Sequence, residues 1–259
     1  MPRVAWRDLP GEVRSAVAGA AGPVLDVTAV EFGFTCSLAA RLDTADGPVF
    51  VKGAPDAEGR AGQRWEQLVA PVAGAVSPAL RWRVEAAGWE VLGFDWVDGR
   101  HADLSPGSAD LPLVARALTS AATVRAPHKV PQLAVRLASF LDAEEARLLA
   151  GGMLLHTDTN PHNLLVGGGR AWLVDWAMPA AGPAWVDAAC TAVRLMEDGA
   201  TAGQALDWLD QFSVWTGAHA GAVAAFVAGT CRQWEAQVGR VDCLPSNGRF
   251  RSLLAGARV

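Results

Sequence analysis

Residues 156–163 read His-Thr-Asp-Thr-Asn-Pro-His-Asn, and twelve positions after Asn163 an apolar run ends in Leu-Val-Asp175-Trp. This is the pattern H-x-D-x-x-x-x-N followed closely by an Asp. It supplies one carboxylate able to orient and deprotonate a hydroxyl, Asp158, and two oxygen ligands for magnesium, Asn163 and Asp175. Phosphoryl transfer from ATP needs those groups and little covalent chemistry besides.

The same chemistry calls for a cation on the phosphates. Lys52 ends the run Val-Phe-Val-Lys on the third strand expected in the chain, where it can reach the α- and β-phosphates of a nucleotide. A lone lysine at a strand end is usually just solvated, but the strand order and the downstream Asp motif favour the phosphate role. Such a lysine needs a carboxylate to fix its rotamer. Glu66, fourteen positions on and inside an expected helix, fits better than Glu58, whose place at the helix start is already explained by the helix dipole. Residues 31–37, Glu-Phe-Gly-Phe-Thr-Cys-Ser, fall where a phosphate-covering loop would sit. Gly33 with the Thr35 or Ser37 hydroxyl could serve there, and a plain hairpin turn is an equal reading.

Other chemistries fit less well. Gly167-Gly-Gly169 lies between two strands and reads as a hairpin turn, and no G-x-x-x-x-G-K-[ST] occurs. His156 and His162 stand six apart, which is not the zinc spacing. His156 reads as a structural residue holding the loop, His162 as a partly exposed one. No G-x-S-x-G turn supports a serine hydrolase. Asp187, in an apolar, helix-starting stretch, is costly to bury unless hydrogen-bonded and is expected to accept N–H bonds from the 156–163 loop.

The elements that must position these groups divide the chain. A short leading helix at 9–20 precedes strands at 23–29, 38–42 and 49–52. A helix capped by Asp56 runs to Ala70, stopped by Pro71, and two strands follow at 80–84 and 89–97. Helices are expected at 111–123, 131–140 and 142–151. Short apolar pieces at 153–155 and 164–166 surround the motif, a hairpin leads to 172–176, and three or four Trp-bearing helices follow residue 185. A strand-rich first third before a helix-rich remainder is an α+β, two-lobed organisation, with an expected boundary near Asp98-Gly99. Net charge of −5 over 259 residues leaves no footprint for nucleic acid. The scattered Cys36, Cys190, Cys231 and Cys243 read as buried thiols of a reducing compartment. With no long apolar segment, the expectation is a soluble, cytoplasmic chain without membrane contact.

Lys52, the strand ending in Phe94-Asp-Trp-Val-Asp-Gly-Arg100, the loop 156–163, Leu-Val-Asp175-Trp and Asp187 together resemble the aminoglycoside phosphotransferase family of small-molecule kinases, which share the protein-kinase-like fold. The resemblance runs from about Val24 to Asp187. It implies an antiparallel-sheet N-terminal lobe (1–97) that binds ATP or GTP with Mg2+, adenine lying against the hinge at Asp95 and Val97. A mainly helical C-terminal lobe (98–259) would carry the catalytic loop and the acceptor site. Asp158 is then the catalytic base, and the partner a small-molecule hydroxyl acceptor, bound by a monomer or weak dimer. In such enzymes acids of the helical lobe bind cationic sugars. Glu197, Asp198, Asp207, Asp210 and Glu235 are available for that, although a charged pair on a helix, such as Asp207 and Asp210, is most often its solvated side. Thr157 stands where the family usually has glycine, and the phosphate loop is poor in glycine. The twelve positions from Asp175 to Asp187 leave no room for a long activation segment, which argues against a protein kinase. The intact Lys52, Asp158, Asn163 and Asp175 argue against a dead nucleotide-binding scaffold.

Overall fold

The structure, a computed structural model, describes residues 3–30 and 36–257. Its first part is a five-stranded antiparallel sheet of order β1-β2-β3-β5-β4. The strands are β1 (Val24–Ala29), β2 (Leu38–Thr44), β3 (Gly47–Ala54), β4 (Leu80–Ala86) and β5 (Trp89–Asp95). Period-2 alternation decides what each face does. Leu38, Ala40 and Leu42 of β2 with Val49 and Val51 of β3 point to one face. There they pack on Val13, Val17 and Ala21 of α1 (Gly11–Ala21), which follows a 3-10 turn at Trp6–Asp8. The intervening residues, Ala39, Phe50 and Lys52, face the other way and line a cleft. Register pairs Lys52 with Ala39 on one side and with Leu92 on the other, so the lysine is held in mid-sheet.

Helix α2 (Ala57–Ala73) links the two halves of the molecule. Asp56 caps it, its side chain accepting from Gly59 N–H at 2.8 Å. Pro71 does not stop it, contrary to expectation; the helix runs on to Ala73. The proline falls in the last turn, where one lost backbone bond is offset by burial of Val69, Ala73 and the following Val76 in the larger core.

That larger core gathers the rest of the chain. Three small strands, β6 (Arg100–His101), β8 (Leu164–Gly167) and β9 (Arg170–Leu173), form one sheet, and β7 (Met153–Leu155) pairs with β10 (Ala180–Gly182) in another. Around them lie α3 (Leu111–Ala121), α4 (Leu133–Arg136), α5 (Ala143–Leu148), α6 (Val186–Glu197), α7 (Ala202–Leu209), α8 (Ser213–Thr216), α9 (Ala220–Val238) and α10 (Leu244–Ser252). The helix expected at 131–140 is reduced to the single turn of α4 and a 3-10 turn at Ala138–Phe140. The Pro131 carbonyl is taken by the Ala181 N–H at 2.8 Å, which holds the start of the run extended beside β10. Among the described residues beyond 185 there are five α-helices rather than three or four, because a turn at 210–212 separates the one-turn α8 from α7. Trp185 and Trp215 are buried and meet edge-on, and Trp185 also meets Phe226 edge-on, the core reading of those aromatics.

Candidate active site

The sheet delivers Lys52 to the cleft and α2 delivers Glu66 opposite it. Lys52 Nζ donates to Glu66 Oε1 at 2.9 Å and to Asp175 Oδ1 at 3.0 Å, with both Lys52 and Glu66 buried. Two carboxylates share one ammonium. Burial pushes the Glu66 carboxyl up to about 7, against the pull of Lys52. For Lys52 burial works downward, yet the two carboxylates outweigh it and hold the ammonium above the ordinary lysine range. The second oxygen of Glu66 is buried without a hydrogen-bond partner among the described residues. With Glu66 ionised, the site carries more negative than positive charge.

Asp175 follows β9 at φ 63°, a left-handed conformation. The flanking backbone fixes it there: Leu173 N–H donates to Val76 O at 2.8 Å, and Val174 N–H to Asn163 O at 3.0 Å. Trp176 Nε1 donates to Ser77 Oγ at 2.6 Å, anchoring the turn to the segment after α2.

The 156–163 loop is bonded from beneath. The first turn of α6 places Asp187, almost fully buried, so that one oxygen accepts from His156 N–H at 2.7 Å and the other from Thr157 N–H at 2.9 Å. His156 Nε2 meets the Val174 carbonyl at 2.8 Å, so that nitrogen carries the proton, and the ring packs on Trp176. One helical turn after Asp187, Thr191 Oγ1 donates to Thr159 Oγ1 at 2.8 Å. The loop is thereby set to present Asp158 upward. Asn160 Nδ2 donates to Asp158 Oδ1 at 2.8 Å. Asn163 Nδ2 donates to Asp158 O at 2.9 Å and lies 3.1 Å from Oδ2. With its amide N–H groups spent on Asp158, Asn163 keeps its side-chain oxygen for a cation.

The charge next to Asp158 on the open side is Arg194 of α6, whose Nη2 lies 3.9 Å from Oδ1. Arg194 is itself held by Glu197 at 2.6 Å, and Glu197 faces Arg249 of α10 at 3.7 Å. Sequence reasoning did not find Arg194 or Arg249. The spacing 187, 191, 194 on one helix face would have pointed to the first. Asp198 and Asp207 are exposed at the end of α6 and on α7, and among the described residues no ion pair joins either to the loop. Asp210 is exposed at the C-cap of α7.

Lys52, Glu66, Asn163 and Asp175 line one cavity of about 260 Å³ together with Phe50, Phe94, Asp95, Trp96 and Val97. Asp95 has its N–H on Ala79 O at 2.9 Å and its carboxylate on Arg81 at 2.5 Å. The aromatic walls went unnoticed in the sequence, although Phe50, two before Lys52 on a strand, must share its face. Arg41 lies over the Trp96 ring, 5.0 Å from its centroid. Ser37 is buried, its N–H on Gly53 O at 3.0 Å, while Gly33 and Thr35 lie outside the described residues.

Comparison with known proteins bears out the resemblance read from these residues. A family model described as the phosphotransferase enzyme family matches residues 108–226. No curated protein sequence matches the chain. Among solved structures, an aminoglycoside phosphotransferase from Alicyclobacillus acidocaldarius superposes with a TM-score of 0.60 at 14% identity, covering 95% of this chain and 93% of that one. The aminoglycoside phosphotransferase APH(4)-Ia gives a TM-score of 0.62 at 14% identity, over 95% and 99%. The choline kinase LicA from Streptococcus pneumoniae gives 0.55 at 12% identity, over 94% and 96%. The fold is thus α+β and kinase-like, with an antiparallel sheet followed by a mainly helical part.

Proposed function

We propose that the chain is an ATP-dependent phosphotransferase that places the γ-phosphoryl group on a hydroxyl of a small molecule. The observation that carries this reading is the convergence in one cleft of a buried Lys52 on Asp175 at 3.0 Å and of Asn163, whose side chain is joined to that of Asp158. The phosphotransferase family match and the kinase-like fold support it. Solved complexes of two thermostable APH(4)-Ia mutants hold ADP and hygromycin B in one and AMP-PNP and hygromycin B in the other, which makes aminoglycosides and related antibiotics the first acceptors to try.

The aromatic walls Phe50, Phe94 and Trp96 suit a nucleobase, and Lys52 suits the phosphates beyond it. Mg2+ fits the donor set: Asp175 and Asn163 offer oxygens, the local charge is negative, and this ion takes few protein ligands when phosphate oxygens supply the rest. When bound, it neutralises charge on the β- and γ-phosphates. Glu66 keeps Lys52 aimed into the cleft. Asp158 takes the hydroxyl proton as the acceptor oxygen bonds to phosphorus and the bond to the ADP oxygen breaks. Asp187 and His156 act only by fixing the loop.

The test is a thermal-shift titration with Mg·ATP and Mg·GTP, followed by transfer of labelled γ-phosphate to a panel of hydroxylated small molecules. A magnesium-dependent shift with label on at least one acceptor is expected. Nucleotide binding with no acceptor labelled would support a scaffold instead, and robust labelling of generic proteins a protein kinase.

A further inference from the structure

Two residues of the site stand in the left-handed region without being glycine, Thr157 at φ 67° and Asp175 at φ 63°. A β-branched residue there is an outlier that persists only where its surroundings over-determine it. For Thr157 those surroundings are visible. Its N–H is bound by Asp187, its hydroxyl donates to the Met178 carbonyl at 2.8 Å, and Arg136 Nη1 donates to that hydroxyl at 2.9 Å. The same Arg136 nitrogen donates to the Met178 carbonyl at 2.7 Å, closing a three-membered ring of contacts.

The position of Met178 gives the ring its meaning. It lies three residues after Asp175, whereas the His156 bond to Val174 O lies one residue before it. The segment 174–178 is therefore tied to the loop at both ends, and the tie at 178, which lies ahead of the pairing of Ala180 with Leu155, needs the hydroxyl of residue 157. Glycine would adopt the backbone conformation more readily and would keep the N–H bond to Asp187, but it would lose the tie.

We propose that Thr157 and Arg136 form a clasp that makes the Asp158 loop and the Asp175 segment move as one unit, with Thr157 a positioning residue for both aspartates. The catalytic half of this inference rests on the phosphotransferase reading; the mechanical half does not.

The experiment uses the full chain in four variants, Thr157→Val, Thr157→Ser, Arg136→Met and the double Thr157→Val/Arg136→Met. Amide hydrogen exchange is measured over 153–160 and 174–180, with Mg·ATP turnover alongside, water or a hydroxylated acceptor taking the phosphate. Thr157→Val and Arg136→Met should each speed exchange in both segments together by about tenfold, a local opening. Thr157→Ser should stay near the wild type, and the double variant should match either single one, since one clasp can be lost only once. Turnover should fall on the order of tenfold to hundredfold with the KM for ATP nearly unchanged, as for slight misplacement of reacting groups. Exchange altered at 153–160 alone, or additive effects in the double variant, would overturn the clasp. Should Thr157→Val not fold, Arg136→Met and Thr157→Gly decide the same question. A wild type that neither binds nor turns over Mg·ATP would sink the phosphotransferase reading, while the exchange comparison still decides the clasp.

Discussion

The end of the site around Lys52, proposed to hold phosphates, and the line of charges beyond Asp158, proposed to meet the acceptor, hold their charges in opposite ways. At the phosphate end Lys52 and Glu66 are 4% and 5% exposed and bonded at 2.9 Å. At the acceptor end Asp158, Arg194, Glu197 and Arg249 alternate in sign along an open line, their side chains 44%, 35%, 30% and 32% exposed. A buried pair cannot lose one member without leaving the other uncompensated, whereas half-exposed pairs of this kind contribute about 0–1 kcal/mol each. The first arrangement restricts the molecule to one ligand geometry, and the second can be retuned at small cost.

The contrast can be broken by substitution. The largest effect should come from Asp158→Asn, which we expect to lower turnover by about two orders of magnitude or more, measured in single-turnover assays. Next is Lys52→Met. Removing the shared cation should destabilise the fold by about 3–5 kcal/mol in urea titrations at pH 8. The loss should shrink at pH 6, where Glu66 takes up a proton, and a loss independent of pH would weaken the case for a shared ammonium.

Glu66→Gln sharpens the point. The Glu66 carboxyl sits higher in the folded chain, at about 7, than its ordinary value of 4.5. The folded state then binds the proton more tightly, so this group's contribution is fully present below pH 4.5 and lost as pH rises through 7. Relative to the glutamine variant, the wild type should lose up to about 3 kcal/mol between those limits. A difference flat across that window would contradict the buried-pair description. Smallest is Arg194→Ala, which should move stability by less than about 1 kcal/mol while changing acceptor KM. A large stability loss would show that the acceptor end is held as rigidly as the phosphate end.

What the sequence disclosed follows the same division. Alternation in β2 and β3 and the fourteen-residue step to Glu66 are local regularities, and they sufficed to assemble the phosphate end. The Gly168-Gly169 turn was equally legible, since both residues take positive φ between paired strands. Gly99 and Gly167 were not. Their requirement is tertiary, because a Cβ on Gly99 would lie 2.5 Å from the Val166 carbonyl oxygen and one on Gly167 would collide with that of Asp98. The conformation of Thr157 was hidden for a similar reason, being fixed by Asp187, Met178 and Arg136, each at least 20 positions away. The acceptor end depends on which helix faces turn toward the loop. Acidic residues counted along the chain drew attention to Glu197, Asp198 and Asp207, and Glu197 does hold the charge beside Asp158, but that charge is an arginine.

The proposed mechanism divides the labour between two aspartates, Asp158 as base and Asp175 as magnesium ligand. Calorimetric titration of ATP into the wild type, Asp158→Asn and Asp175→Asn, with and without magnesium, tests it most directly. With magnesium, Asp158→Asn should bind as the wild type does and Asp175→Asn should lose the magnesium-dependent part. Without magnesium, Asp158→Asn should again match the wild type. Equal losses of ATP affinity in both variants would rule out separate roles for Asp158 and Asp175.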